Sequence, residues 1–258
     1  MAQAPPGEKL SRAPGVDAHA HLDDPRFDTD RSEVLARARA RGVDTVVLAA
    51  GDPACWDRVR DVAQRHQLPF ALGVHPWWPD PDALDRLPGA LEGACAIGET
   101  GLDHLRGRDA QARALQRRLL DAHLALAAER DLPVVLHHVR ATSKVLDAVE
   151  ASGVRKGVLH AFVRGDIARA LDLGLHLSFG TDLVRSSRAL WAATTVPLDR
   201  ILFESDAPDR PLEGERGEPA HVVDLVALVA EARQMAPADL HQRAGDNARR
   251  LFRLPEDR

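Results

Sequence analysis

Three features of the sequence predict an α/β fold with a parallel sheet, most simply a (β/α)8 or TIM barrel. Eight short apolar or β-branched segments recur along the 258 residues, and most are followed by a longer segment of helical periodicity. The length suits one barrel domain of about 250 residues. The alternative is a doubly wound open sheet, but no Gly-x-Gly-x-x-Gly follows the first strand to favour it.

The elements follow one another in the order that repeated strand–helix units require. A helix is expected to begin at Asp52-Pro53, a cap residue followed by a first-position proline, and another to end before Gly153. Residues 1–14, rich in Pro and Gly, are expected to form a flexible leader, and residues 15–258 the barrel domain. The predicted strands are 15–22, 44–50, 69–74, 94–99, 133–138, 157–162, 175–180 and 200–206, and further helices are predicted at 109–130, 142–152, about 220–235 and 237–252.

Composition excludes several classes of protein. A hydrophobic content of 45% and a charged content of 28% are those of a folded globular chain. The 34 Lys and Arg against 39 Asp and Glu leave a net charge of -5, so any polyanion must be bound locally rather than by a basic surface. Cys55 and Cys95 form no Cys-x-x-Cys pair, which fits a reducing cytoplasm, and no apolar run is long enough to span a membrane.

Two histidines on the first predicted strand are the first sign of a metal site. His19 and His21 are two residues apart, so both imidazoles should project to the same side, toward the barrel axis if Ala18 and Ala20 face the helices. A shared direction at close spacing is what one metal ion requires. The alternative is a pair of hydrogen-bonded core histidines.

Four further polar residues fall at or near the ends of other predicted strands. Glu99 ends the fourth, His137 the fifth and Asp206 the eighth, and His160 lies near the end of the sixth. A buried carboxylate such as Glu99 needs a cation or strong donors beside it, although a turn or helix-capping role is the alternative. Together with His19 and His21 they make four imidazoles and two carboxylates, which a closed barrel would bring together at one end.

The motifs that carry these residues resemble those of the TatD-type metal-dependent hydrolases, within the amidohydrolase-like barrel enzymes. The likeness runs from about Val16 to Phe252. It rests on Asp17-Ala18-His19-Ala20-His21-Leu22, Gly73-Val74-His75-Pro76, Ala96-Ile97-Gly98-Glu99-Thr100-Gly101-Leu102-Asp103, Leu132-Pro133-Val134-Val135-Leu136-His137, His160-Ala161-Phe162, Glu204-Ser205-Asp206-Ala207-Pro208, and Asn247 before Leu251-Phe252.

The resemblance implies a binuclear metal site. It implies that one divalent ion is held by His19, His21 and Asp206, a second by His137 and His160, and that Glu99 bridges the two. Imidazole and carboxylate ligands suit zinc, manganese, iron, nickel or magnesium without ranking them. Two such ions lower the pKa of a bound water, and Asp206 is our hypothesis for the base that takes its proton.

The resemblance also implies a substrate class, in which this sequence departs from the family pattern. The family's best-known activity is a deoxyribonuclease, so DNA or a small phosphodiester is the expected substrate. Members often carry Arg two residues after the fifth-strand histidine, where this chain has Val139. Either Arg140 turns inward, or Arg164, Arg185 or Arg188 binds phosphate, or the substrate is not a phosphodiester. His75 is expected to contact the substrate or its leaving group, with simple loop packing as the alternative.

Two rival functions follow from the same residues. An amidohydrolase-like enzyme would use the same ions on an ester or amide carbonyl, for example to remove an aminoacyl group, and Val139 and the acidic balance favour it. A non-catalytic metal-binding protein would require the loss of ligands, and none of the six expected positions is lost. We expect no obligate protein partner.

Overall fold

Eight parallel strands form a nearly closed barrel, as the sequence predicts. The computed structural model describes residues 15–212, 214 and 216–255, so the predicted leader, residues 1–14, lies outside the described part of the chain. Each strand is hydrogen-bonded to its sequence neighbours, in the order β1 to β8. The strands are Gly15–Ala20 (β1), Val43–Ala50 (β2), Phe70–Leu72 (β3), Ala96–Asp103 (β4), Val134–Val139 (β5), Gly157–Leu159 (β6), Leu175–Phe179 (β7) and Ile201–Phe203 (β8).

Helices alternate with the strands around the outside of this barrel. A layer of buried side chains, among them Leu48, Leu72, Leu136 and Leu177, separates the strands from the helices. In the described residues the α-helices are Arg31–Ala40 (α1), Trp56–His66 (α2), Ala83–Ala90 (α3), Ala110–Arg130 (α4), Thr142–Ser152 (α5), Ile167–Asp172 (α6), Ser187–Thr195 (α7), Val222–Ala232 (α8) and Pro237–Phe252 (α9). None of the helices built from these residues is long and apolar enough to cross a membrane.

The lumen of the barrel is filled by small and branched apolar side chains from seven strands. They are Val16, Ala18, Val47, Ala71, Ala96, Val135, Val158 and Leu202. Leu251 and Phe252 of the last helix, α9, pack into the same cluster, and Asn247 donates to the carbonyls of Leu198 and Ile201 at 2.8 and 2.9 Å. The helix α9 therefore closes the amino-terminal end, and the other end stays open for a site.

Two hydrogen bonds just beyond the strands close the barrel between β1 and β8. The amide of Asp206 donates to the carbonyl of His19 at 3.0 Å, and that of His21 donates to Ala207 at 2.7 Å. The backbone of Asp206 lies in the left-handed region, with φ of 52°, which Asp tolerates better than most residues. This closure brings the polar residues of the first and last units side by side.

The predicted bounds are wrong at several strand ends. Strand β4 runs past Glu99 to Asp103, because it stays paired with β5 up to Asp103 opposite Val139. Within this stretch Gly101 lies opposite His137. Gly101 has a φ of +146°, and a Cβ there would overlap the carbonyl oxygen of His137, so only glycine allows this approach. By contrast, β1, β6 and β8 end before His21, His160 and Asp206, which lie in the loops that follow.

Candidate metal centre

The structure brings all six sequence-predicted ligands together at the carboxyl end of the barrel. Glu99 lies at their centre, with its two carboxylate oxygens facing two different groups of side chains. On one side, Oε2 of Glu99 lies 3.4 Å from Nε2 of His19. On the other side, Oε1 lies 2.8 Å from Nδ1 of His137 and 2.9 Å from Nε2 of His160. Glu99 is therefore placed between two sets of nitrogen donors.

The first set comes from β1, the loop that follows it and the loop after β8. Nε2 of His19 and Nε2 of His21 lie 3.3 Å apart. Oδ1 of Asp206 lies 3.7 Å from the former and 3.5 Å from the latter. The Nδ1 atom of His21 is 2.8 Å from the carbonyl oxygen of Ala49, which fixes the ring so that its Nε2 faces the site.

His19 on β1 and His21 just after it converge for a reason other than simple alternation. Ala18 packs in the barrel lumen, whereas Ala20 packs in the outer layer between strands and helices. The condition that both alanines face the helices is therefore not met, and the register of β1 with β2 shifts between Asp17 and Ala20. This irregularity re-aims the side chains at the strand end, as β-bulges near active sites do.

His75 lies closer to the centre than the sequence indicated. Its Nε2 is 3.1 Å from Oε1 of Glu99 and 3.1 Å from Nδ1 of His137, and the side chain is buried. It also borders the cavity above the site, so the predicted contact with substrate stays a prediction. The motif Gly73-Val74-His75-Pro76 marked this residue, but its distance from Glu99 depends on the loop after β3.

A layer of buried carboxylates holds the histidines from behind. Oε1 of Glu204 is 3.2 Å from Nδ1 of His160, and Oδ2 of Asp103 is 3.3 Å from Nε2 of His137. Asp17 accepts from the hydroxyl of Ser205 at 2.5 Å and from the amide of His19 at 3.2 Å. No role for these carboxylates is predicted from the sequence. The signal available was their place inside the quoted motifs, directly beside the predicted ligands.

The carboxylates at the centre are strongly coupled to the imidazoles. Burial acts to raise the pKa of Glu99, but His160, His75 and His137 outweigh it and hold that pKa well below its usual range. Burial acts to lower the pKa of His160, but Glu99 and Glu204 raise it well above the ordinary value. His75 is different, since burial dominates and lowers its pKa to about 4.

The donor set fits a divalent metal with nitrogen and oxygen ligands. Within the described residues, every ion pair of Glu99 and of Asp206 is with a histidine and none is with Lys or Arg. Such a cluster of lone-pair donors is what a cation requires. Three groups have donor atoms within 4.8 Å of one another: His19, His160 and Asp206; His19, His21 and Glu99; and His75, Glu99 and His137.

A cavity of about 580 Å³ opens above this centre. The residues that line it include Trp77, Trp78, Val139, Arg140 and Arg164. The loop after β5 therefore turns Arg140 toward the cavity, which is one of the alternatives that the sequence left open. The backbone of Arg140 has a φ of 53°, the left-handed turn that produces this direction. The other two arginine candidates, Arg185 and Arg188, are not among the described residues that line it.

The arginines at the mouth of the cavity are of two kinds. Arg26 is bound to Asp24 and Asp209 at 2.9 and 2.8 Å, and Arg210 is bound to Asp182 at 2.5 Å, so their charges are neutralised. Arg140 and Arg164 are exposed and make no ion pair with any residue that the structure describes. Of the four arginines that line the cavity in the described part of the chain, these two can therefore meet an anionic ligand.

A (β/α)8 barrel with clustered histidines and carboxylates at its carboxyl end defines the class of metal-dependent hydrolases, and comparison with known proteins agrees. The sequence model of the family described as TatD related DNase matches residues 16–253, and the chain belongs to that family.

Relatives that cover nearly the whole chain support this membership. An uncharacterized metal-dependent hydrolase of Escherichia coli, YcfH, is 35% identical over 94% of this chain and 97% of its own length. The protein named 3'-5' ssDNA/RNA exonuclease TatD of Pantoea ananatis is 30% identical over 92% of this chain and 99% of its own. The crystal structure of the TatD homolog YjjV of Escherichia coli superposes with a TM-score of 0.86, at 33% identity, over 93% of this chain and 98% of that one.

Proposed function

We propose that this protein is a phosphodiesterase that hydrolyses nucleic acid, most simply a deoxyribonuclease, with two divalent ions at the barrel mouth. The observation that carries the proposal is the position of Glu99, whose two oxygens face separate groups of donors at 3.4 Å on one side and 2.8 and 2.9 Å on the other. The relative named as an exonuclease supports the choice of substrate class. We further propose a cytoplasmic location, since Cys55 and Cys95 are free thiols.

The family resemblance is the basis for the division of the ligands between the ions. We assign His19, His21 and Asp206 to the first ion, His137 and His160 to the second, and Glu99 to both. Zinc, manganese, iron, nickel and magnesium all accept such ligands. Divalent ions held there would supply a water of lowered pKa and would neutralise charge on the phosphoryl oxygens.

In this proposal Asp206 is the general base. Its carboxylate lines the cavity, while its Oδ1 lies within 3.7 Å of both first-group histidines. An oxygen of Asp206 can take the proton of the attacking water and return it to the leaving oxygen. The backbone hydrogen bond from Asp206 to His19 fixes the carboxylate at the barrel mouth while it does so.

His75 is proposed to contact the substrate next to the second group of donors. Its pKa of about 4 keeps the ring neutral at physiological pH, so it can donate or accept one hydrogen bond without adding charge. Its Nδ1 accepts from the amide of Trp77 at 3.1 Å, which places the remaining proton on Nε2, the atom that faces Glu99. His75 would therefore donate into the site.

Arg140 and Arg164 are proposed to bind the phosphates that flank the scissile bond. Among the described residues that line the cavity, they are the arginines without an ion-pair partner in the described part of the chain, and the chain as a whole carries -5. An anionic strand would accordingly be held at this rim alone and would leave the rest of the surface free.

One observation favours hydrolysis of a carboxylic ester or amide instead. Val139 lines the cavity and is 36% exposed, so an apolar side chain occupies a wall where the family pattern often has arginine. An acyl group with an apolar side chain would pack against Val139. The same centre would then act on a carbonyl rather than on a phosphoryl group.

A substrate panel with measured metal content tests the proposal. The purified protein is supplied in turn with manganese, magnesium and zinc and assayed on single-stranded DNA, a model phosphodiester, and a set of esters and amides. We expect DNA cleavage that depends on the metal and disappears in His19→Ala. Cleavage that persists unchanged in His19→Ala would come from a contaminant, and hydrolysis of esters or amides without DNA cleavage would establish the alternative.

A further inference from the structure

Two tryptophans form one wall of the cavity, directly beside the candidate metal centre. Trp77 and Trp78 follow His75 in the loop after β3, and they are 39% and 45% exposed. Exposure alone carries little, because Trp191 is 63% exposed on the outside of the barrel and lies away from the cavity. What distinguishes the pair is its position, since the ring centroid of Trp78 lies 5.5 Å from that of His75.

The two rings are held in different ways. The indole N–H of Trp77 donates to Asp103 at 2.6 Å, and the guanidinium of Arg106 lies over its ring at 4.0 Å. Both the polar group and one face of this ring therefore already have a partner within the protein. The indole N–H of Trp78 makes no hydrogen bond with the described residues. Its contacts with His75 and Trp77 are tilted, at 53° and 54°, so neither ring lies flat against it. Trp78 therefore offers a π surface to a ligand.

We infer, on the basis of the proposed function, that Trp78 stacks on the nucleobase adjacent to the scissile phosphate. His75 connects the two points, because its Nε2 lies 3.1 Å from Glu99 while its ring neighbours Trp78. One sugar separates the base of a nucleotide from its phosphate, which suits a phosphate at the centre and a base on this wall. Every nucleobase has a π face, so the contact would tolerate any sequence but would require a base freed from its own helical stack.

Binding of two ligands that differ only by the base tests this inference. Isothermal titration calorimetry of the manganese-supplied protein compares 2'-deoxyadenosine 5'-monophosphate with 2-deoxyribose 5-phosphate. Base stacking of about 1–3 kcal/mol predicts that the nucleotide binds at least about fivefold more tightly. Trp78→Ala should bring the ratio of the two affinities close to one, and Trp78→Phe should keep most of it.

Trp191→Ala is the matched control, since it removes an exposed tryptophan away from the cavity and should leave the ratio unchanged. Each variant is first shown to unfold at the temperature of the parent protein. Equal affinities for both ligands in the parent, no binding of the nucleotide, or an unchanged ratio in Trp78→Ala would overturn the inference. The inference would also be overturned if Trp78→Ala weakened the binding of an aromatic amino-acid ester but not that of the nucleotide. Trp78 would then contact an acyl group rather than a nucleobase.

Kinetics separate this inference from the proposed function. With single-stranded oligonucleotides, Trp78→Ala should raise KM about tenfold for a strand with a normal terminal base and leave KM unchanged for one with an abasic terminal residue. Equal effects on both strands would overturn stacking while the nuclease assignment stands. A parent protein that cleaves neither strand with any metal contradicts the nuclease assignment, and the calorimetric ratio still decides stacking.

Discussion

His160 and Glu204 share a buried hydrogen bond behind the candidate metal centre, with 3.2 Å between Nδ1 and Oε1. The same Oε1 accepts from the amide of Ala161 at 2.6 Å, so it is fixed to the backbone of the loop after β6. Because Nδ1 of His160 donates to this carboxylate, Nε2 is the ring atom that faces Glu99, and a metal bound there would displace the proton of Nε2. Glu204 is thus a positioning residue for one side of the centre.

Glu204→Gln should therefore weaken metal binding without unfolding the protein. Loss of such a supporting partner costs about 10- to 100-fold in metal affinity or activity. We expect activity to fall at limiting metal and to recover when metal is added in excess, which a merely structural defect would not do. Glu218→Gln, which alters a glutamate bound to Arg37 and Arg216 away from the lumen, is the control and should not change the metal requirement. Titration of activity against manganese measures the difference, and identical curves for the two variants would contradict the role.

Asp206→Asn tests the proton transfer. The amide keeps the size of the side chain but cannot accept the proton of the attacking water, so kcat should fall by about 10²- to 10⁴-fold. The variant is assayed once elemental analysis shows that it holds metal. Near-normal turnover of that metal-loaded variant would refute Asp206 as the base.

Arg140 and Arg164, which form no ion pair with the described residues, should control affinity for a polyanion. Arg140→Gln and Arg164→Gln should each raise KM for single-stranded DNA several-fold with little change in kcat. Each lost phosphate contact should also reduce the slope of log affinity against log salt by about 0.7. Arg188→Gln removes an exposed arginine that does not line the cavity and serves as the control. Salt titrations of DNA binding that are the same for all three variants would exclude these phosphate contacts.

His123 links the stability of the barrel to pH. It is buried in α4, lies with Nδ1 2.7 Å from the carbonyl of Leu119, and accepts from the amide of Val74 at 2.9 Å, next to His75. Burial lowers its pKa to about 4. Because this pKa lies below that of an unfolded histidine, the unfolded chain binds more protons as the pH falls below about 6.5, and the folded state loses stability down to about pH 4.

His123→Gln should reduce this acid sensitivity, since glutamine can accept the same amide hydrogen bond and does not titrate. The share of one such histidine is about 2 kcal/mol between pH 8 and pH 5. Urea denaturation at the two pH values measures it. The loss of unfolding free energy on acidification should be smaller in His123→Gln than in the parent protein. An equal loss would show that protonation of His123 does not contribute to the acid sensitivity.

The sequence predicted the barrel and the order of its elements because period-two and helical patterns are local. All eight strands lie where the apolar segments were found, and α9 spans the predicted residues 237–252. The ends of the strands were harder to predict from the sequence. The extension of β4 to Asp103 depends on pairing with β5, and the irregularity of β1 depends on its register with β2, so neither is encoded in one segment alone.

In the candidate site, too, local features could be predicted and contacts between distant residues could not. The six predicted ligands could be found because histidines and carboxylates at strand ends are unusual in a buried parallel sheet. The supporting roles of Glu204 and Asp103 could not, because each is defined by a partner 44 or 34 residues away in the chain. The freedom of Arg140 and Arg164 likewise depends on which acidic side chains pair with their neighbours.

The proposed function requires that Glu99 lies between two cations. A crystal of the protein grown with manganese or zinc, with diffraction data collected on both sides of the absorption edge of that metal, measures this directly. We expect two anomalous peaks, one beside His19, His21 and Asp206 and one beside His137 and His160, with an oxygen of Glu99 next to each. A single peak on one side of Glu99, or none in a protein that is active under the same conditions, would contradict it.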